Sequence, residues 1–354
     1  MKSTVSSSIE RLVRFSKFCC LLPPYDFRKK RVVHSFLCSL SALLHVVLPS
    51  GSLVLFFRAI LAAPKNNVDD RIIFWGYIGT KVIAVVAVLV TVIQTRANTL
   101  LWEEFLEETS NVKLMSSSSY HSHVDRQNLI MILLAAFPVI LYYVVFWGST
   151  DFRYALIGWY CFYYQSLSIV VLINFIEIVL YKCREMNYKL ARIRQPIRFK
   201  ALTSQKTYDR LSGTVGKINR LFGPHILMVF ISSMIRLLAY HNKLVGVVVN
   251  EWNIPRGLSM VSLIAGALVQ PLAVCYYCDL VTRETRKTKL ICFKLQLEST
   301  GDEEELQCLI SLLNNNPITF SASGYFVIDR STMSSLLTIV GTYFVAILQI
   351  RNGL

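Results

Sequence analysis

The sequence predicts an all-α membrane protein with seven transmembrane helices, the amino terminus cytoplasmic and the carboxyl terminus extracellular. Three observations predict it. Hydrophobic residues make up 54% of the 354 residues and the mean hydropathy is +0.47, too apolar for a chain that must cover itself with polar surface in water. Seven continuous apolar stretches reach the about 20 residues that a helix needs to cross a hydrocarbon core of about 30 Å. The 37 Lys and Arg are spread unevenly over the segments that join those stretches, and cationic segments are retained in the cytoplasm.

The spans lie near Val32–Ala59, Ile72–Thr95, Leu129–Trp147, Tyr154–Tyr181, Leu221–Tyr240, Leu258–Val281 and Ser331–Ile350. They are long and continuously apolar, without the alternation of outer-membrane strands, so a barrel is excluded. With the amino terminus inside, eight cations precede span one, three separate spans two and three, eleven separate four and five, and five separate six and seven. The opposite side receives only six. This asymmetry also accounts for the net charge of +15. It reads the basic tracts at Arg28–Arg31 and Lys182–Arg220 as retention signals attracted to anionic membrane lipids, not as nucleic-acid contacts. Phe18–Leu22 is too short for a secretory h-region and is followed by Pro23-Pro24, so span one serves as the signal anchor.

This layout divides the chain into four parts. A basic cytoplasmic segment (1–31) precedes a six-helix bundle with cytoplasmic helical extensions (32–281). A cytoplasmic region (282–330) follows, then a seventh helix with a short outer tail (331–354). The outer loops are short, so an extracellular ligand must enter the bundle itself. Leu100–Glu108 is an acidic amphipathic segment, Ile176–Arg194 carries span four on into a basic helix, and Asp302–Leu313 is an amphipathic helix ended by Asn314–Pro317. These extensions suit packing against each other and against copies of the chain.

The last span carries the most information. At about 100° per residue, Ser331, Ser334, Ser335, Thr338, Gly341, Thr342, Val345 and Gln349 fall within an arc of about 120°. Leu336, Ile339, Val340, Tyr343, Phe344 and Ile347 fill the rest. A helix facing only lipid has no reason to segregate its hydroxyls, so this seam meets another helix or water and is a candidate pore lining.

Candidate ligand-binding residues cluster toward the predicted outer ends of the spans: Lys81, Tyr142, Tyr143, Trp147, Trp159, Tyr163, Arg236 and Tyr240. Any single Tyr or Trp at a membrane boundary is more often part of the interfacial belt, but the group is richer than a belt requires. Lys81 and Arg236 lie inside apolar segments at energetic cost, which points to a cavity or a partner, with snorkelling the simpler alternative for Arg236. His45 is read as a core or snorkelling group. Gln270-Pro271 permits a bend in span six. Asp329-Arg330 is read as a local or intersubunit ion pair that positions the seventh helix.

No catalytic arrangement is present: there is no phosphate loop, nucleophile elbow or H-E-x-x-H. Nine cysteines avoid the outer loops, and Cys275 and Cys278 lack a second ligand pair, so neither disulfides, a metal site nor a cofactor is expected. The chain is not an enzyme.

The run from Leu295-Gln296-Leu297 through Asn316-Pro317-Ile318 and Gly324-Tyr325-Phe326-Val327-Ile328-Asp329-Arg330 to Thr342-Tyr343, five apolar residues and Gln349 resembles the insect gustatory receptor family. Ile350 stands where that family's hallmark usually has Phe, and Asn219–Gly223 is also family-like. The resemblance implies a tastant-gated, non-selective cation channel in the plasma membrane of chemosensory neurons. It implies a homo- or hetero-tetramer around the last helix, held by a cytoplasmic anchor (282–330), with a pocket in each subunit's outer half. Thr338, Thr342, Val345 and Gln349 would line the pore, and Ile350 would gate it by dewetting. Sugar-sensing relatives carry Glu after Thr-Tyr; Phe344 here points to bitter or other non-sugar compounds. The alternatives are an odorant receptor subunit, a G-protein-coupled receptor, whose orientation is opposite, and a secondary transporter.

Overall fold

The computed structural model describes residue 16 and residues 21–27, 29–33, 36–61, 68–110, 151–192, 197–250, 254–298 and 304–352. Among them are two short strands, β1 (Tyr25–Asp26) and β2 (Arg31–Val32), and eight helices. The helices are α1 (Phe36–Leu61), α2 (Val68–Ala97), α3 (Thr99–Ser110), α4 (Asp151–Ala191), α5 (Ile197–Asn250), α6 (Ile254–Glu298), α7 (Glu304–Asn315) and α8 (Arg330–Asn352). Four helical stretches are long and apolar enough to cross a bilayer: Ile78–Ala97, Tyr160–Ala191, Ala201–Asn242 and Gly257–Leu297. A shorter apolar run covers Cys38–Gly51. The expected third span, Leu129–Trp147, lies outside the described residues. Two compact units emerge, one of residues Met1–Val171, Pro224–Leu272 and Met333–Leu354, the other of Leu172–Gly223 and Ala273–Thr332.

In the first unit, the expected start of span one at Val32 is corrected. Tyr25 pairs with Val32 and Asp26 with Arg31 in an antiparallel ribbon, and the Val32 amide donates to Glu103 Oε1 at 2.6 Å. Those bonds hold Val32 out of the helix, which begins at Phe36. A left-handed Lys30 (φ 52°) closes the ribbon, and its Nζ pairs with Glu107 at 2.7 Å. Behind Glu103 and Glu107, α3 buries Trp102, Phe105 and Leu106 at the spacing of one helical face. Arg96, at the end of α2, donates to the Cys38 carbonyl at 2.7 Å and so fixes α2 against α1.

The centre of this unit is built from helices whose small residues permit close approach, such as Ala84 and Ala87 on α2 and Ala267 on α6, all nearly inaccessible. Thr91 of α2 and His225 of α5 share a 2.7 Å hydrogen bond there. His45 bonds its own helix through the Ser41 carbonyl at 2.7 Å and packs beside the ring of Tyr164 at 5.2 Å. Among the described side chains of α8, Met333, Leu336 and Val340 are the buried ones, a spacing that repeats on one face. Phe344 meets the His241 ring at 5.2 Å.

The second unit contains the remaining turns of α4, α5 and α6, together with α7. On α7, Leu306, Leu309 and Leu313 face inward, and Glu304 and Glu305 occupy its first turn, where the helix dipole favours them. Asn187 of α4 donates to the Glu284 carbonyl (2.9 Å) and carboxylate (3.1 Å) and accepts from Thr288 Oγ1 at 2.6 Å. Cys275 and Cys278 are buried free thiols.

After α7 the chain makes a tight turn in which the Tyr325 amide donates to the Ala322 carbonyl. Its two central residues, Ser323 and Gly324, both have positive φ, the mirror-image geometry that joins twisted strands. Asn219 of α5 clamps this turn from both sides: its amide nitrogen donates to the Thr319 carbonyl at 2.9 Å, and its oxygen accepts from the Ser321 amide at 3.0 Å. Gly223, one turn along, leaves room for the turn backbone; a Cβ there would stand 2.8 Å from the Ser323 nitrogen.

Candidate ligand site and pore helix

The first unit buries a polar cluster inside an apolar bundle. Arg236 of α5 is 3% exposed. Its Nη2 donates to Gln165 Oε1 of α4 at 2.5 Å, and its guanidinium carbon lies 5.0 Å from the centre of the Phe162 ring. A guanidinium only donates, so the Gln165 oxygen must face it and the Gln165 amide nitrogen must face away. Ser232 Oγ lies 3.5 Å from the same oxygen. From α6, Gln270 donates to Ser166 Oγ at 2.7 Å and to the Phe162 carbonyl at 3.4 Å.

Four atoms of this region have no hydrogen-bond partner among the described residues: Arg236 Nη1, Gln165 Nε2, Gln270 Oε1 and Ser233 Oγ. All four side chains are at least 97% buried. Buried polar atoms ordinarily find partners, since leaving one unpaired costs about 1–3 kcal/mol. Lys81 of α2 is also buried, and Cys161 lies within electrostatic reach of both Lys81 and Arg236. No acidic residue occurs in the bundle helices over residues 36–61, 71–97, 152–176, 224–250, 254–278 or 331–352. The cluster is therefore cationic with no carboxylate on those segments to answer it.

Of the residues expected at a ligand site, Arg236 lies in this cluster, with Tyr240 one turn beyond it on α5, and Lys81 is buried on α2. Arg236 does not snorkel; it turns inward to Gln165. Tyr163 and Tyr240 are half-buried. Trp159 belongs to α4, but its side chain, like all of Tyr142, Tyr143 and Trp147, lies outside the described residues. Gln165, Ser166, Ser233 and Gln270 complete the cluster without having been expected there. A glutamine within an apolar span is itself expensive, and that was the available signal.

On α8, Ser331, Ser334, Ser335, Thr338, Gly341, Thr342, Val345 and Gln349 are all exposed on the single chain. The Ile350 side chain lies outside the described residues. Thr338 Oγ1 donates to the Ser334 carbonyl and Thr342 Oγ1 to the Thr338 carbonyl. With their protons committed to the helix, these hydroxyls present lone pairs outward. Asp329 and Arg330 take different partners. The Asp329 carboxylate caps α8 by accepting from the Thr332 amide at 2.9 Å and from Ser331 Oγ at 2.6 Å. Arg330 Nε instead lies 2.8 Å from Asp279 of α6. An acid at a helix start and a base one residue on are drawn to different partners, because amides at that end need an acceptor.

A helical fold with a buried polar cluster inside its bundle and a hydroxylated seam on its last helix defines the class of multi-span helical membrane proteins. The chain belongs to the seven-transmembrane chemosensory receptor family, whose model matches residues 9–351. It is a receptor, not an enzyme. In fold it is similar to the insect olfactory receptor OR5 from Machilis hrabei, with a TM-score of 0.66 at 12% identity over 97% of this chain and 98% of that one. The same receptor in complex with eugenol matches equally, at a TM-score of 0.66 and 12% identity over 98% of both chains. No curated protein is detectably similar.

Proposed function

We propose that the protein is a gustatory receptor subunit: a tastant-gated, non-selective cation channel of the plasma membrane of chemosensory neurons. In this reading seven spans leave the amino terminus inside and the carboxyl terminus outside. Four subunits, alike or mixed, gather around α8, and residues 282–330 form their cytoplasmic anchor. The observation that carries the proposal is the uncovered seam of α8, from Ser331 to Gln349, on a chain of this family. Four such seams around an axis enclose a conduit lined by outward hydroxyl oxygens, which suits cations better than anions. The Thr342-Tyr343-x5-Gln349 pattern favours a gustatory over an odorant subunit. The ligand enters the bundle at the Arg236–Gln165–Gln270 cluster, with Lys81 and Tyr240 beside it, and acts on α8, where Gln349 replaces Ile350 in the open pore.

The test is to express the chain alone and record current evoked by a tastant panel. Current without a co-expressed subunit separates this reading from an odorant subunit that needs one. Gln349→Ala is expected to shift relative cation permeability or gating. A conducting channel that ignores this change removes α8 from the pore.

A further inference from the structure

The charge balance of the buried cluster says what kind of molecule it takes. A guanidinium stays protonated under any condition a protein meets, and a charge removed from water must be paired or hydrogen-bonded to be tolerated. Arg236 is 97% buried, yet only its Nη2 is engaged by a described residue, and that partner is a neutral amide. The bundle segments named above supply no Asp or Glu to neutralise it.

The Arg236–Gln165 contact leaves two donors open, Nη1 of Arg236 and Nε2 of Gln165; both are buried and neither has a partner among the described residues. Buried open donors, one of them charged, call for an anionic acceptor, and a guanidinium pairs most strongly with a carboxylate. The Phe162 ring is stacked at 5.0 Å from the guanidinium and supplies an apolar wall.

We infer that the cluster binds a small organic acid, its carboxylate accepting from Arg236 Nη1 and its apolar body in the bundle. This rests on the reading that the cluster is the ligand site. It narrows that reading, because protonated amines, including alkaloids in their charged form, would have to approach a buried guanidinium and are rejected.

The test uses the full chain in lipid nanodiscs and in expressing cells near neutral pH. The probes are two matched series: benzoate, benzamide and benzylamine, and hexanoate, hexanamide and hexylamine. The readouts are thermal shift and evoked cation current. In the wild type the carboxylate of at least one series is expected to raise the melting temperature, with a potency at least tenfold above its amide and with no effect of its amine. Arg236→Gln is expected to remove the carboxylate preference, and Arg236→Lys to weaken it. Gln165→Glu places a carboxylate on the atom that Arg236 already contacts. It is expected to raise the melting temperature without ligand and to lower carboxylate potency at least tenfold.

Amines that match or exceed the carboxylates, or carboxylates that shift neither readout, overturn the acid assignment. In the first case, if the amine response is lost in Arg236→Gln, the cluster still stands as the ligand site. Carboxylates that act equally on the wild type, Arg236→Gln and Gln165→Glu overturn the site instead, since the anion then binds elsewhere.

Discussion

The two compact units treat their buried polar groups in opposite ways. In the unit of residues 172–223 and 273–332, Asn187, Glu284 and Thr288 close on one another, Asn219 holds Thr319 and Ser321 at the entry to the Ala322–Tyr325 turn, and the Tyr208 hydroxyl donates to the Asn316 carbonyl. One of its buried oxygens, Asp279 Oδ2, stands outside that hydrogen bonding but is 2.8 Å from the Nε of both Arg283 and Arg330, at ion-pair distance. In the unit that holds the apolar bundle, Arg236, Gln165, Gln270, Ser233 and His225 each leave an atom without a partner among the described residues. The difference teaches where to look for scaffold and where to look for function. A closed network rigidifies its surroundings, whereas buried donors left open store a cost that a bound molecule relieves.

That contrast is breakable by substitution. The largest stability effect is expected at Asn187→Ala, which withdraws a donor from Glu284 and an acceptor from Thr288 in a dry setting; a loss of about 1–3 kcal/mol is expected for each polar group left unpaired. Chemical denaturation of the purified chain measures it, and a loss below about 0.5 kcal/mol would show that the network is not closed as described. Gly223→Ala comes next. Its Cβ meets backbone at 2.8 Å, not a side chain that can swing away, and about 1–3 kcal/mol is expected from the forced displacement.

The open unit is expected to behave in the reverse sense. The double change Arg236→Met with Gln165→Leu replaces a buried polar pair by apolar groups of similar volume, an exchange that is neutral or stabilising in other buried pairs. The melting temperature should hold or rise while ligand potency in evoked current falls at least tenfold, about 1.4 kcal/mol if potency tracks affinity. A falling melting temperature would make the pair structural.

The smallest effect is expected at the helix cap. Hydrogen bonds from Ser331 Oγ and the Thr332 amide hold the Asp329 carboxyl below its ordinary value of 3.8. A depressed carboxyl contributes stability that is present above its unfolded value and is lost as pH falls through the folded one. The cap contribution, about 1 kcal/mol, is therefore whole at neutral pH, begins to be lost below 3.8 and vanishes as pH falls through the lowered folded value. Asp329→Ala should remove it at all pH values, and Asp329→Asn should keep much of it without the acid dependence; thermal melts across pH 2–6 separate the three.

Much of this molecule is legible in order of residues, and the limits of that legibility are specific. The continuation of span four into a basic helix, the α3 and α7 segments and the segregated face of α8 follow from periodicity, because a helix makes sequence spacing into geometry. The ribbon of Tyr25–Asp26 with Arg31–Val32 does not: two-residue strands carry no period, and what holds Val32 there is Glu103, about seventy residues away in sequence. The same holds for Asn219 and Gly223, which stand out as a motif but acquire their purpose only beside Ser321 and Ser323.

By itself the sequence determined the helical membrane class, the family, and the absence of acidic residues over the bundle segments, since each of these is a property of composition or local order. Only the tertiary structure decided that Arg236 turns inward to Gln165 instead of reaching for the membrane surface, that Gln270 joins them, and that Asp329 and Arg330 part company. Those outcomes depend on which helix faces which, a choice set by packing between residues far apart in the chain and invisible to any window along it.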